Sequence, residues 1–546
     1  MKTTASRYFA LSYVWGGPIT TTTTNQNFSV LQQAGSLGDT ATLPETVSDA
    51  MLLTREMGER YLWVDCLSII QDSTSKHQDI AHMDVIFTKA ELTIVATCGN
   101  NATAGLTGVR PGTRRRRTMS RQQGSHLMSL YLPTSKYRLL NRTAYASRGW
   151  TFQELLLSKR VLFVSQQQIV FHCTRSRRSE SLPEESPHHT QYRHGEIDLF
   201  PKAISARYDI CNLRSYNTLV QEYSQRRLSF QSDVENAFAG LASILEEWYS
   251  GTPVVHGMML PFFACSMTWM FTHAEDYSSY WTNNERGKKR AGFPTWSWVA
   301  WAAAISNIND DSASDIPLPV LSLVRNIEIV MFSERKPSCS WEVTDKSSIE
   351  DHVAPSGQQI RVNRYLTSPE ALHLHPSTLG FDAERTLWRN FSGGRTLWRN
   401  FSGECSFEAN HLFFGLLGSS QFCGYLSVSP DPEVSTEALN HCTGTLHDSD
   451  SDWSLVRLYQ LRLEPCDGFH GRWRAMERDW RQPRLFESVT AFGRRLRRSE
   501  LLFVLVIRRH GIHWERVGAG LMIKKYWPST KSRTSYRSYQ ERIVLI

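Results

Sequence analysis

At 546 residues the chain is too long for one hydrophobic core, so two or three domains are expected. Its 41% hydrophobic and 21% charged residues are ordinary for a soluble globular protein. The 61 basic residues against 53 acidic ones leave a net charge of +8, gathered in clusters such as 114–117 and 175–178. These lack the aromatic-and-basic alternation of an RNA-binding sheet, so nucleic acid is not an expected partner.

Residues 8–14 form an apolar, aromatic run closed by Trp15-Gly16-Gly17-Pro18, the pattern of a strand ending in a turn. Thr42-Leu43-Pro44-Glu45 has capping-box spacing, and Val47, Met51 and Thr54 follow at helical spacing until Gly58 supplies a stop. Residues 61–67 read as the second strand. A helix over 77–90 carries Ile80, Met83, Phe87 and Ala90 on one stripe, and 92–97 is the third strand. This alternation predicts a parallel sheet with right-handed crossovers. The Gly-, Arg- and Gln-rich stretch 105–124 reads as a mobile insertion. Residues 147–158 read as a helix, and 161–164 with 168–173 as a hairpin.

Residues 174–200 have the composition of a linker, and 219–248 is helical in pattern. A second apolar block, 253–301, ends in PTWSWVAW, where Trp296 and Trp298 would share one side of a strand and pack between domains. From about residue 310 the chain turns β-rich and loop-rich. The tandem repeat of 385–394 in 395–404 reads as a loop lengthened by duplication. Residues 501–507 read as a buried strand and 514–524 as its partner.

The ten cysteines stand singly with no CxxC pair, against a zinc ribbon or thioredoxin-type site. Gln71-Asp72 reads as a turn or cap rather than a metal site, so no metal is expected. There is no charged-then-apolar leader, and the longest apolar stretch, 253–271, is interrupted by His256 and Pro261. A soluble, cytoplasmic protein without a membrane partner is expected. No GxxxxGK[ST] motif supplies an ATP-driven switch within the chain.

Four segments in order carry a resemblance: LSYVWG (11–16), LPETVSDAMLLTREMGERYLWVDCLSIIQD (43–72), MDVIFTKAELTIVAT (83–97) and RGWTFQELLLSKRVLF (148–163). Together they resemble the HET domain of fungal heterokaryon-incompatibility proteins over roughly residues 8–175. LVQEYSQRRLSFQSDVENAFAGLA (219–242) and PTWSWVAW (294–301) are further pieces typical of these proteins. The resemblance implies a cytosolic role in non-self recognition, in which activation leads to growth arrest or regulated cell death. HET domains in turn resemble TIR domains, which implies a TIR-like, flavodoxin-like α/β fold and hydrolysis of NAD to nicotinamide and ADP-ribose or a cyclic form of it. NAD would then be substrate rather than resident cofactor. Related proteins usually carry several dozen residues ahead of LSYVWG, against seven here before Tyr8, so a missing N-terminal strand or a truncated gene model is an expectation.

The TIR resemblance assigns an essential Glu four residues after a Trp on one helix, a spacing met by Trp150 and Glu154. On one helix face the pair would set an aromatic wall beside a carboxylate. A single carboxylate there would hydrogen-bond ribose hydroxyls and offset an oxocarbenium-like charge. The alternative is a surface Glu154 paired with Arg148, Lys159 or Arg160. Asp65 ends an apolar strand, where burial without a partner is costly, so it must meet a helix N-terminus, a base or a ligand. Ser12, Tyr13, Trp15 and Gly16 end the first strand. Gly16 would admit a ligand to the backbone, and Trp15 is either a stacking surface for a nicotinamide or adenine ring or a packing plug. Arg148 is either a phosphate contact or a salt-bridge partner of Glu154 or Asp65.

The expected architecture has three parts: a HET domain over 1–175, a mainly helical region over 176–310 and a β-rich region over 311–546. Two functions stay open, an NAD-hydrolysing enzyme acting as a homo-oligomer and a non-catalytic assembly module that binds other incompatibility proteins. A degenerate gene product is a third reading.

Overall fold

A computed structural model describes residues 6–17, 21–38, 43–114, 118–123, 126–131, 140, 143–173, 177–180, 213–248, 253–260, 263–271, 287–307, 320–323, 325–333, 348–353, 359–366, 377–387, 411–415, 422–434, 437, 453–461, 501–524, 527–528 and 538–546. The chain divides into two units. One is built mainly from Met1–Cys211 and Arg226–Leu245, the other mainly from Asn212–Gln225, Glu246–Ala274 and Trp281–Ile546. No helix among the described residues is long and apolar enough to cross a membrane.

The first unit is organised by six described strands: β1 (Phe9–Ser12), β2 (Leu62–Trp63), β3 (Leu92–Ala96), β4 (Arg160–Val164), β5 (Ile169–Cys173) and β6 (Arg177–Ser179). They lie in the order β2-β1-β3-β4-β5-β6. The first four are parallel and the last two antiparallel. Among its helices are α1 (Glu45–Glu56), α2 (Met83–Lys89) and α3 (Trp150–Leu157). All five residues of β3 are buried, as expected of a strand covered on both faces. Period-two alternation divides the core. Phe9, Leu11, Ile94, Ala96 and Leu162 join Val47 and Ala50 of α1, while Val95, Val161 and Phe163 join Tyr145 and Leu155 on the other face.

The expected parallel sheet and closing hairpin are present, with local corrections. The second strand is only two residues long, because Asp65–Ser68 turns into a helical turn. There the Asp65 carboxylate accepts from the Cys66 N–H at 2.7 Å, and the Ser68 hydroxyl accepts from the Val64 N–H at 3.2 Å. The helix expected over 77–90 breaks at His82 into Lys76–Ala81 and α2, and α2 carries the buried Met83 and Phe87. The stretch read as a mobile insertion contains ordered structure. Asp49 of α1 accepts from the Leu106 N–H at 2.8 Å and from Arg110 at 2.5 Å, and Thr118–Gln123 pairs antiparallel with His126–Tyr131.

The helical pattern over 219–248 resolves into Leu213–Ser224, two 3-10 turns and Ala239–Trp248. Most of the linker 174–200 and of the tandem repeat lies outside the described residues.

The second unit is β-rich. Eleven described strands form one sheet, in which Leu501–His510 pairs antiparallel with His513–Ile523 as expected. The PTWSWVAW segment is not a strand. Ser297 caps a 3-10 turn over Trp298–Ala300, accepting from the Val299 N–H at 3.1 Å. Trp269, Trp296, Trp298 and Trp301 are fully buried within this unit. Among them lies Arg516, its guanidinium 3.5 Å from the Trp269 ring centre and donating to the carbonyls of Met267 and Trp269.

One backbone position fixes how β1 leaves the sheet. Gly16 has φ +72°, and a Cβ there would run into Asn101 Cβ and approach the Asn100 carbonyl oxygen to 2.5 Å. The close approach is made by the chain's own turn after β3, which also donates from Ala102 N to the Trp15 carbonyl at 3.1 Å. Gly16→Ala is expected to destabilise the protein by about 2–4 kcal/mol in denaturant unfolding, combining left-handed strain with a clash against backbone.

Candidate functional site

The polar groups gather at the carboxyl ends of β1 and β2, the edge where open parallel sheets bind ligands. Ser12 is the last residue of β1, and the pleat turns it to the α3 face while Leu11 and Tyr13 turn to the α1 face. There the Ser12 hydroxyl donates to the Glu154 carboxylate and lies 2.7 Å from the Tyr145 hydroxyl. A hydroxyl carries one proton, so with Glu154 ionised the chain runs from Tyr145 O–H to Ser12 O–H to the carboxylate.

Glu154 is 7% exposed. Burial raises its pKa to about 8, the Ser12 bond and Arg148 pull it down, and the nearby charge of Asp65 pushes it up. The reading of Glu154 as a surface residue paired with Arg148, Lys159 or Arg160 is overturned. Lys159 is exposed, and Arg160 pairs with Glu91 at 2.8 Å.

Asp65 stands at the entrance of the helical turn after β2. Its carboxylate accepts from the Trp15 indole N–H at 2.7 Å and the Cys66 N–H at 2.7 Å. Desolvation raises its pKa to about 6, and these two donors, Tyr13 and the Arg148 charge hold it from rising further. At neutral pH Asp65 is therefore the ionised member and Glu154 the protonated one. Tyr13 is 5% exposed, and its hydroxyl, beside Asp65 and Cys66, has no hydrogen bond of normal geometry. Burial pushes the Cys66 thiol to about 12, which removes it as a nucleophile at physiological pH.

Arg148 has a fixed backbone and an uncommitted head. Gly149 N donates to the Arg227 carbonyl at 2.7 Å, Arg227 N donates to the Ser147 carbonyl at 2.6 Å, and Arg226 donates to the Arg148 carbonyl at 3.3 Å. Among the described residues the Arg148 guanidinium makes no hydrogen bond or ion pair, although its charge acts on both Asp65 and Glu154. Neither salt bridge anticipated for it forms. Trp150 is half-buried and its indole donates to Asp233 at 3.3 Å, so Trp150 and Glu154 reach different partners from one helix.

Sequence reasoning passed over Tyr145, which completes the hydroxyl chain, and Arg226, Arg227 and Asp233, which brace the RGW segment. Tyr145 stands in a turn with no periodicity to mark it, and the bracing residues lie some 80 positions downstream. No group of three or more His, Cys, Asp or Glu side chains among the described residues converges as a metal site.

The sign of the Glu154 shift fixes a stability test. The unfolded chain releases this proton near 4.5 and the folded one near 8. The stability contribution is therefore full below pH 4.5 and lost as pH rises toward 8. Glu154→Gln keeps the partner to Ser12 without the buried charge. It is expected to melt higher than the wild type at pH 8–9, by a few kcal/mol at most, with the difference vanishing near pH 4 in thermal unfolding.

No curated protein and no solved structure matches the chain. Residues 8–154 match the model of the family described as Heterokaryon incompatibility protein (HET). That span opens one residue before β1 and closes on Glu154, taking in Ser12, Asp65, Arg148 and Trp150, and it supports the chain as a heterokaryon incompatibility domain protein.

Proposed function

We propose that this chain acts in fungal heterokaryon incompatibility by hydrolysing NAD to nicotinamide and ADP-ribose, with a TIR-like HET domain as the enzyme and regulated cell death as the outcome. The observation that carries the reading is the buried Glu154 carboxyl at the end of a parallel strand, held by Ser12, with an ionised Asp65 and an uncommitted Arg148 beside it. A carboxyl so desolvated has no structural reason to be charged, and perturbed carboxyls at strand ends mark functional sites.

In the reaction the ribose C1′–N bond breaks and its electron pair leaves with the nicotinamide nitrogen. Once Glu154 has lost its proton, negative charge on it and on Asp65 offsets the oxocarbenium-like ribose. Water attacks C1′, and its proton passes to Asp65 or to solvent. Nicotinamide leaves as a neutral base, so no general acid is required. The protein would act in the cytoplasm as a homo-oligomer or with other incompatibility proteins, and NAD is its substrate rather than a bound cofactor.

A specific observation favours a second reading, a non-catalytic assembly module. Glu154 is nearly closed off, and both Glu154 and Trp150 already have partners within the unit, so both side chains have structural uses.

The test is NAD consumption by the purified full chain, concentrated to promote assembly. Wild type is expected to consume NAD with kcat/KM rising up to tenfold per pH unit until about pH 8 and level above it, as Glu154 loses its proton. Glu154→Gln is expected to lose at least about a hundredfold and the pH slope with it. A folded, assembled wild type that leaves NAD untouched would move the assignment to the assembly module.

A further inference from the structure

We infer that Asp65 and Arg148 form a two-point clamp for a ribose 5′-phosphate, Asp65 accepting the ribose hydroxyls and Arg148 holding the phosphate. The clamp rests on the nucleotide reading above and gives it a substrate class and an orientation.

Arg148 supplies the first point. Its backbone is pinned on both sides by Arg226 and Arg227, so the side chain starts from a fixed place. Its planar fork of donors has no partner among the described residues, although two carboxylates feel its charge. The reason it is left free lies in those carboxylates. Glu154 is committed to Ser12 and carries a proton at neutral pH. Asp65 is turned toward Trp15 and its own helical turn. A guanidinium whose charge reaches two carboxylates yet which bonds to neither is available to an incoming anion.

Asp65 supplies the second point. Each of its oxygens takes one N–H, from Trp15 and from Cys66, which leaves acceptor capacity on both. A vicinal diol presents two O–H donors to such a carboxylate. The buried Tyr13 hydroxyl stands beside Asp65 and Cys66, leans on both without a hydrogen bond of normal geometry, and lies close enough to serve the same sugar. The two points select against a bare anion. Free phosphate at Arg148 would stand near the ionised Asp65, whereas a ribose 5′-phosphate sets its neutral hydroxyls against the carboxylate and keeps its charge at the arginine end.

The experiment titrates the full chain with ribose 5-phosphate, ribose, inorganic phosphate, ADP-ribose and NAD by calorimetry, beside Arg148→Gln, Arg148→Lys and Asp65→Asn. Circular dichroism and melting confirm that each variant is folded. Wild type is expected to bind ribose 5-phosphate and ADP-ribose at least tenfold more tightly than inorganic phosphate. Arg148→Gln should weaken the phosphorylated ligands tenfold or more without changing ribose, Arg148→Lys should recover part of that loss, and Asp65→Asn should weaken ribose as well. The clamp is overturned by wild-type binding of inorganic phosphate as tightly as of ribose 5-phosphate, by no binding of ribose 5-phosphate, or by folded variants that bind it normally. Binding in the expected pattern by a wild type that never consumes NAD sinks the enzyme reading and leaves the clamp standing. NAD consumption with an unchanged KM in Arg148→Gln does the reverse.

Discussion

The first unit depends on one constraint: a carboxyl group on α3 must be carried under the end of β1 with almost no access to water. Everything that positions the candidate site follows from how that is done. Ser12 can meet Glu154 only because the pleat turns it away from Leu11 and Tyr13 and toward α3. The strand can end there only because Gly16 accepts a left-handed backbone against the Asn100-Asn101 turn. That exit aims the Trp15 indole at Asp65, which joins the end of β2 to the end of β1. The far side of α3 is braced by 226–240, where Gln153 both donates to the Asn236 carbonyl and accepts from Gly240 N. One buried acid thus sets requirements on two strand ends, a glycine turn and a segment far downstream.

The electrostatics give this arrangement two states. With Glu154 ionised, protons point along the chain from Tyr145 to Ser12 to the carboxylate. With Glu154 protonated, the acid can donate to Ser12, Ser12 to Tyr145, and the Tyr145 hydroxyl lies 3.5 Å from the Thr151 carbonyl, which can take the last proton. The hydroxyl chain satisfies either form by reversing, so neither state leaves an orphaned group on α3. Asp65 has no such relay. Two N–H donors hold it in the ionised form, and its pKa rises less than that of Glu154 for that reason. Two neighbouring carboxyls are thereby driven to different charges at one pH, a separation that acid–base sites use.

The sequence carried the frame and much less of the site. Alternating apolar runs marked β1, β3 and β4, because burial on both faces leaves a continuous hydrophobic signal. Strand ends drew attention to Ser12, Trp15 and Asp65, and in the fold Trp15 bonds Asp65 while Ser12 bonds Glu154. What could not be read was the direction of side chains leaving α3. Spacing places Trp150 and Glu154 on one face, yet the chain returns at Asp233 to take the indole, while β1 takes the carboxyl. Local patterns contain no term for a partner some 80 residues away. PTWSWVAW failed for a related reason. Its alternation mimics a strand, but the Ser297 cap closes a 3-10 turn and the tryptophans bury through side-chain packing. The stretch 105–124 looked loop-like by composition, while Asp49 on a distant helix orders its first part.

Buried charge in the two units obeys the same physics and ends differently. In the second unit Arg290 donates to the carbonyls of Val299 and Trp301, at 2.9 and 2.5 Å, and Arg516 donates to Met267 and Trp269 while stacking on an indole. Each guanidinium there meets backbone acceptors, which is how a cation becomes part of a core. In the first unit the balance is left open: a guanidinium without a bond among the described residues, a buried tyrosine hydroxyl without a bond of normal geometry, and a carboxylate with acceptor capacity to spare. Folding alone would select the closed arrangement, since open polar groups near a core cost stability. Their meeting at one strand edge, inside the span that matches the HET family, is what the proposed site rests on.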